Sequence, residues 1–176
     1  MPIAIHAKCA AYLSIVMIAI NSQLFIAKST VGGRSRDMSE LVPIISLWMP
    51  WANWVSLKWK PIETRTHNRF ASLVGKRIGI HCSLKWDDGA VDAARKYLTL
   101  DQIITTNRML KIGGAIICTG LVKEFRKLMD ADSPLALIDC GSVERYGLIL
   151  EDVQTIEAIP CKGRQGIWYQ ELAVKP

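Results

Sequence analysis

From about residue 41 onward the sequence predicts an α+β domain, a small, partly open β-barrel with helices inserted between its strands. Three observations lead there. Short apolar runs rich in β-branched residues cluster at both ends of the stretch. Helical patterns fall between them. A glycine, Gly120, interrupts the longest apolar run, as a bulge at a barrel corner does.

The elements follow in order. Pro43 to Trp48 (PIISLW) is a continuous apolar run of strand length, the mark of a buried strand. Pro50 suits the first position of a helix, where its missing N–H costs nothing. Trp51, Ala52, Trp54, Val55 and Lys58 then recur at helical spacing, giving about two turns. Pro61 disfavours helix at Lys60, so Lys60 to Thr66 returns to extended chain. Lys76 to Ser83 alternates basic and apolar residues as a strand. Asp87 to Leu98 predicts a helix, with acids near its start and Arg95 and Lys96 near its end, and Leu100 to Leu110 a second short one. Gly113 to Phe125, Tyr146 to Ile159 and Gly166 to Leu172 complete a set of about six strands, with Pro160 to Gln165 as a basic turn.

Residues 1–40 read as an apolar extension and linker, and 41–176 as the domain. Ala10 to Ala27 is strongly apolar between Lys8 and Lys28, and roughly 18 residues just span a bilayer. Asn21, Ser22 and Gln23 interrupt it. Met38 opens MSELVPIISLW like a natural start, so residues 1–37 read as upstream sequence attached by a misplaced start codon. A membrane anchor and a helix packing on the domain are the alternatives. A membrane partner is expected only if 10–27 is a true anchor.

Half of the 176 residues are hydrophobic and 22% are charged, proportions of a globular chain rather than a disordered one. The five cysteines are odd in number and none stands at C-x-x-C spacing, which argues against a disulfide framework and a zinc site. A reducing, cytoplasmic compartment is expected, with no metal and no cofactor. The formal charge is +6, and Lys58, Lys60, Arg65, Arg69, Lys76 and Arg77 crowd one stretch against Glu63 alone. Such a cluster attracts polyanions, nucleic acid first among them, although many are simply solvated faces.

Three stretches together are specific: Ser46-Leu47-Trp48-Met49-Pro50-Trp51-Ala52, the K-x-x-E-x-R of Lys60-Pro61-Ile62-Glu63-Thr64-Arg65, and Pro160-Cys161-Lys162-Gly163-Arg164-Gln165-Gly166-Ile167-Trp168. In this order, with Gly79-Ile80-His81-Cys82 between them and Tyr146-Gly147-Leu148 before the last, they resemble the ASCH domain family over about residues 43–172. The resemblance implies a PUA-like barrel with a cleft beside it that binds RNA, a nucleotide or a nucleoside. Some relatives are small amidohydrolases of acylated cytidine, and some are ribonucleases. In the amidohydrolase-like members the lysine matched by Lys60 activates a threonine three residues later. Glu63 stands there instead. The family usually has glycine where this chain has Lys58, and glycine there permits a positive φ, so Lys58 implies a slightly different or a strained turn. Where the family often has glutamine, this chain has Met49.

On a strand, Glu63 and Arg65 share a face. Lys60, at the turn before it, is free to reach the same place. The group could bind a phosphate through Arg65. It could also use Glu63 as a general base, with Lys60 and Arg65 stabilising a developing anion. Or it could be a salt-bridged trio closing the barrel mouth. Candidate catalytic residues, if the protein is an enzyme, are therefore Lys60 and Glu63. Candidate ligand contacts are Trp51, Lys58, Arg65, His81 and the turn residues Lys162, Arg164 and Gln165. Trp54 and Trp168 read as core. Three functions compete: an RNA- or nucleotide-binding domain with a basic cleft, a hydrolase of a modified nucleoside or of RNA, and a protein-interaction module.

Overall fold

The computed structural model describes residues 39–173. Along the chain lie β1 (Ser39–Met49), α1 (Trp51–Ser56), β2 (Ile62–Arg65), β3 (Arg77–Trp86), α2 (Ala90–Ala94), α3 (Leu100–Asn107), β4 (Ala115–Lys127), α4 (Ser133–Ala136), β5 (Tyr146–Pro160) and β6 (Ile167–Ala173). The strands form one mixed sheet in the order β2-β5-β4-β3-β1-β6. Only β1 and β3 run parallel; the other neighbours are antiparallel. β2 and β6 are the two ends and do not pair, so the sheet stays open. This is the α+β, open arrangement that the strand and helix patterns predict.

β1 is covered on both faces over much of its length, which is why its central run is largely apolar. Ile45, Leu47 and Met49 join Ile78, Ile80, Cys82, Val122 and Leu148 in the main core. Val42 and Ile44 join Ile116, Trp168 and Leu172 in a second, smaller core on the other side. Each such side chain contributes about 1.5–3 kcal/mol on burial. The long strands β4 and β5 bend at register shifts, one of them between Thr119 and Leu121, around the glycine that the sequence marks.

The helical excursion packs on α1. Trp54 is fully buried among Ala90, Ala94, Leu98 and Leu137. Its indole N–H donates to Thr106 Oγ1 at 2.9 Å. α3 starts as the sequence suggests, with a capping box between Thr99 and Gln102. The expected helix from Asp87 to Leu98 is shorter, Ala90–Ala94. Asp87 does not open it: its carboxylate is held by the Trp51 indole and by the Gly89 N–H. Beyond Ala94 the chain tightens into turns, Arg95 N–H to Asp92 O and Tyr97 N–H to Ala94 O.

α1 ends in a Schellman motif. The Trp59 N–H bonds Trp54 O and the Lys58 N–H bonds Val55 O, both at 2.9 Å. Lys58 takes the left-handed position with φ 62°. The turn is thus the glycine-type turn with a lysine forced into it.

The apolar segment 10–27 and the start-site reading at Met38 lie outside the described residues. No helix among the described residues is long and apolar enough to cross a membrane.

Relief of the left-handed lysine recovers about 1–2 kcal/mol, and the added freedom of glycine in the unfolded chain takes back about 0.5–1 kcal/mol. Lys58→Gly should therefore raise stability in urea by about 0.5–1 kcal/mol, and Lys58→Val should lower it. A glycine variant less stable than the parent would contradict the strain.

Candidate functional site

The Schellman turn reverses the chain directly before Lys60, so this lysine is delivered inward rather than to solvent. Its side chain is 1% exposed. The ammonium donates to Ile62 O at 2.5 Å and to Glu63 Oε2 at 2.9 Å. Burial is the largest influence on it and lowers its pKa below the ordinary lysine value; the Glu63 carboxylate opposes that shift and Arg65 adds to it.

β2 holds the other two groups. It pairs with β5, Glu63 opposite Leu148 and Arg65 opposite Tyr146. A side chain at Gly147 would collide with Ile62 and Leu128, so glycine there lets β2 lie close against its neighbours. Glu63 and Arg65 share a face as the period-two reading expects, with Arg65 Nη2 3.4 Å from Glu63 Oε1. The Arg65 guanidinium lies 4.8 Å from the Phe70 ring centroid. Its Nε is buried and has no partner among the described residues.

These three side chains border a cleft of about 270 Å³. It lies between β2, at one end of the open sheet, and the end of β1, in the gap where a closed barrel would be sealed. β1 supplies Ser46, Leu47 and Trp48, and α1 supplies Trp51. Asp87 and Ile138 close the remaining sides, and Thr64 adds to the β2 wall. The Trp51 indole donates to Asp87 Oδ2 at 2.8 Å, and its ring centroid is 5.6 Å from the Lys60 ammonium. Two bases and two acids line the cleft, so its lining is balanced rather than basic.

Among the sequence-predicted residues, Trp51, Lys60, Glu63 and Arg65 meet here. The others do not line the cleft. Lys58 is exposed and, with Arg77, acts on Asp152. The basic cluster that is continuous in sequence is therefore split in space. His81 is buried, its ring edge-on to Trp168 and its Nε2 3.2 Å from Cys161 O. Burial lowers its pKa, and Nδ1 has no partner among the described residues. Lys162, Arg164 and Gln165 sit exposed on the turn before β6. Gly163 lies so close to His81 that a side chain there would strike the ring. Arg164 is 6.0 Å from the Trp168 ring centroid. Among the described residues no group of His, Cys, Asp and Glu is placed to hold a metal.

Sequence reasoning missed Trp48, Asp87 and Ile138. Trp48 was within reach: Leu47 and Met49 point into the core, so the residue between them faces the other way. Asp87 reads locally as a helix-start acid. Ile138 carries no local signal.

The fold and the cleft together define an open-sheet α+β domain with a charged cleft between β2 and the end of β1. No protein-family model and no curated protein matches the chain. Its fold is similar to that of ASCH from Zymomonas mobilis, at 15% identity and TM-score 0.44, covering 67% of this chain and 72% of that one. Two mutants of that protein are similar as well. The serine-to-alanine form has 16% identity and TM-score 0.43, covering 67% and 72%. The tyrosine-to-phenylalanine form has 15% identity and TM-score 0.42, covering 67% and 74%. These structures bear the name of the family that the three motifs resemble.

The ion pair is asymmetric. Without Glu63, Lys60 keeps only a carbonyl and faces Arg65; without Lys60, Glu63 keeps Arg65. Glu63→Gln should cost about 3–5 kcal/mol in urea unfolding, and Lys60→Met at least about 1 kcal/mol less. A lowered lysine pKa means that the unfolded chain binds more protons between the folded value and 10.5. This group's contribution to stability therefore rises with pH across that window, a slope that Lys60→Met should remove. Equal costs for the two variants would refute the asymmetry.

Proposed function

We propose that this chain is an RNA- or nucleotide-binding domain whose cleft takes a nucleobase between Trp51 and the Lys60–Glu63–Arg65 group. The observation that carries this reading is the convergence of an ammonium, a carboxylate and a guanidinium on one open cleft. Its volume of about 270 Å³ is near the lower limit of small-molecule sites, about 300 Å³. A balanced lining suits a neutral polar guest better than a phosphate. Unspent hydrogen-bond capacity favours acceptors on that guest. A lysine has three N–H groups, and two of those of Lys60 have partners in the chain. Arg65 Nε is unused. A base edge bearing carbonyl and ring-nitrogen acceptors meets both, and Glu63 can accept an exocyclic amine. The resemblance of the motifs to ASCH domains supports the same ligand class. A cytoplasmic setting goes with it, supported by Cys82 and Cys118, whose buried thiols are free and pushed up to about 12.

A hydrolytic reading has one observation in its favour, a buried lysine of lowered pKa beside a carboxylate in a cleft. Three residues after Lys60, where the amidohydrolase-like members of the resembled family carry threonine, stands Glu63, which accepts the Lys60 hydrogen bond. Any turnover would run through water activated by Glu63.

Calorimetry at low salt with the four nucleosides, the four nucleoside monophosphates and short RNAs tests the binding reading. At least one should bind, and Arg65→Ala should weaken it by about 10-fold or more, the worth of a charge-assisted hydrogen bond. Failure of the whole panel to bind would sink the proposal.

A further inference from the structure

β1 is buried along most of its length, yet Trp48 is 46% exposed. An indole this open, on a strand covered on both faces over much of its length, is left out of the packing that holds its neighbours. It is also a wall of the cleft. The Lys85 ammonium, at the end of β3, sits 3.5 Å from its ring centroid. Lys85 has no carboxylate partner among the described residues. β6 pairs with β1 only from Ser39 to Ile45, so the strand edge beside Trp48 has no strand neighbour on that side.

We propose that Trp48 and Lys85 form a second subsite that takes the nucleotide adjoining the one in the cleft, its base on the indole and its phosphate on the ammonium. The inference rests on the nucleobase reading of the cleft and deepens it: the preferred ligand is single-stranded RNA of at least two nucleotides, not a free nucleoside. Charge divides the two subsites. Inside, Lys60 and Arg65 are balanced by Glu63 and Asp87, which suits a base. At the mouth an ammonium is uncompensated, which suits a phosphate. An exposed ring beside a cation is the pairing that sequence-tolerant single-strand binding uses. Contact with Lys85 holds the ring in place without ligand, and the long lysine stem lets the ammonium follow the phosphate once a base covers the indole. A duplex does not fit this arrangement, because its bases are stacked on each other and cannot reach an indole.

The test compares the four nucleoside monophosphates with ApA, CpC, GpG and UpU by calorimetry on the full chain. The best dinucleotide should bind about tenfold tighter than its mononucleotide, the range expected of one base–aromatic stack. Trp48→Ala should bring that ratio close to one, while Trp48→Phe keeps most of it. Lys85→Gln should reduce the salt slope of dinucleotide binding by about 0.7, one phosphate contact. Mononucleotide binding with no dinucleotide gain, or a gain that survives Trp48→Ala, overturns the second subsite and leaves the cleft reading standing. If no mononucleotide or dinucleotide binds at all, the cleft reading itself has failed.

Discussion

Lys60 carries its ammonium to a place where burial works against its charge, and it stays there because a carboxylate lies 2.9 Å away. Several features of the local sequence serve that arrangement. The Schellman turn after α1 reverses the chain so that residue 60 points inward. Gly147 lets β2 lie close enough to β5 for Glu63 to be buried with it. Arg65, braced on Phe70, meets the second carboxylate oxygen and leaves the first to the lysine. Ion pairs of this kind are poor sources of net stability, because desolvation offsets most of the attraction. Their value is positional. Once both charges are committed to each other, neither can relax away from the cleft.

The cleft exists because the sheet does not close. A barrel sealed between its end strands would place backbone hydrogen bonds where the guest is proposed to sit. Here β6 leaves β1 after Ile45, and β2, paired with β5 on one edge, has no strand on its other edge. The gap is lined by side chains whose charges cancel, while the surplus positive charge of the chain lies elsewhere. Arg77 is paired with Asp152, and Lys127 and Lys123 with Glu144 and Glu151. A count of basic residues along the sequence therefore overstates the positive field at the site.

Much of the fold was legible because its signals are local. The buried strand β1 and the bulge at Gly120 follow from apolar runs and glycine placement. The strain at Lys58 follows from one residue type at a position that wants positive φ. Glu63, Arg65 and Lys60 could be grouped because three residues of a strand and the turn before it suffice to set their directions. What failed needed distant partners. Asp87 looked like a helix acid until Trp51, thirty-six residues earlier, claimed its carboxylate. His81 and the turn at Lys162 to Gln165 do touch, through Gly163 and Cys161, but on the flank of β1 beside Trp168 rather than at the cleft. No spacing rule reports which side of a strand a returning loop will settle on.

The hydrogen bonds of Lys60 bear most directly on what the site can do. A lysine activating a hydroxyl must hold its proton loosely and keep a lone pair within reach of that hydroxyl. Lys60 donates to a carboxylate and a carbonyl; the carboxylate favours the protonated form, but burial outweighs it and lowers the pKa. Through those hydrogen bonds the lysine acts as a donor, and the guanidinium beside it is a second donor with unused capacity. Donors fixed in a cleft discriminate, since a guest that fails to supply acceptors leaves buried polar groups unpaired at about 1–3 kcal/mol each. The donors of Lys60 and Arg65 thus favour a guest that carries acceptors over one that does not.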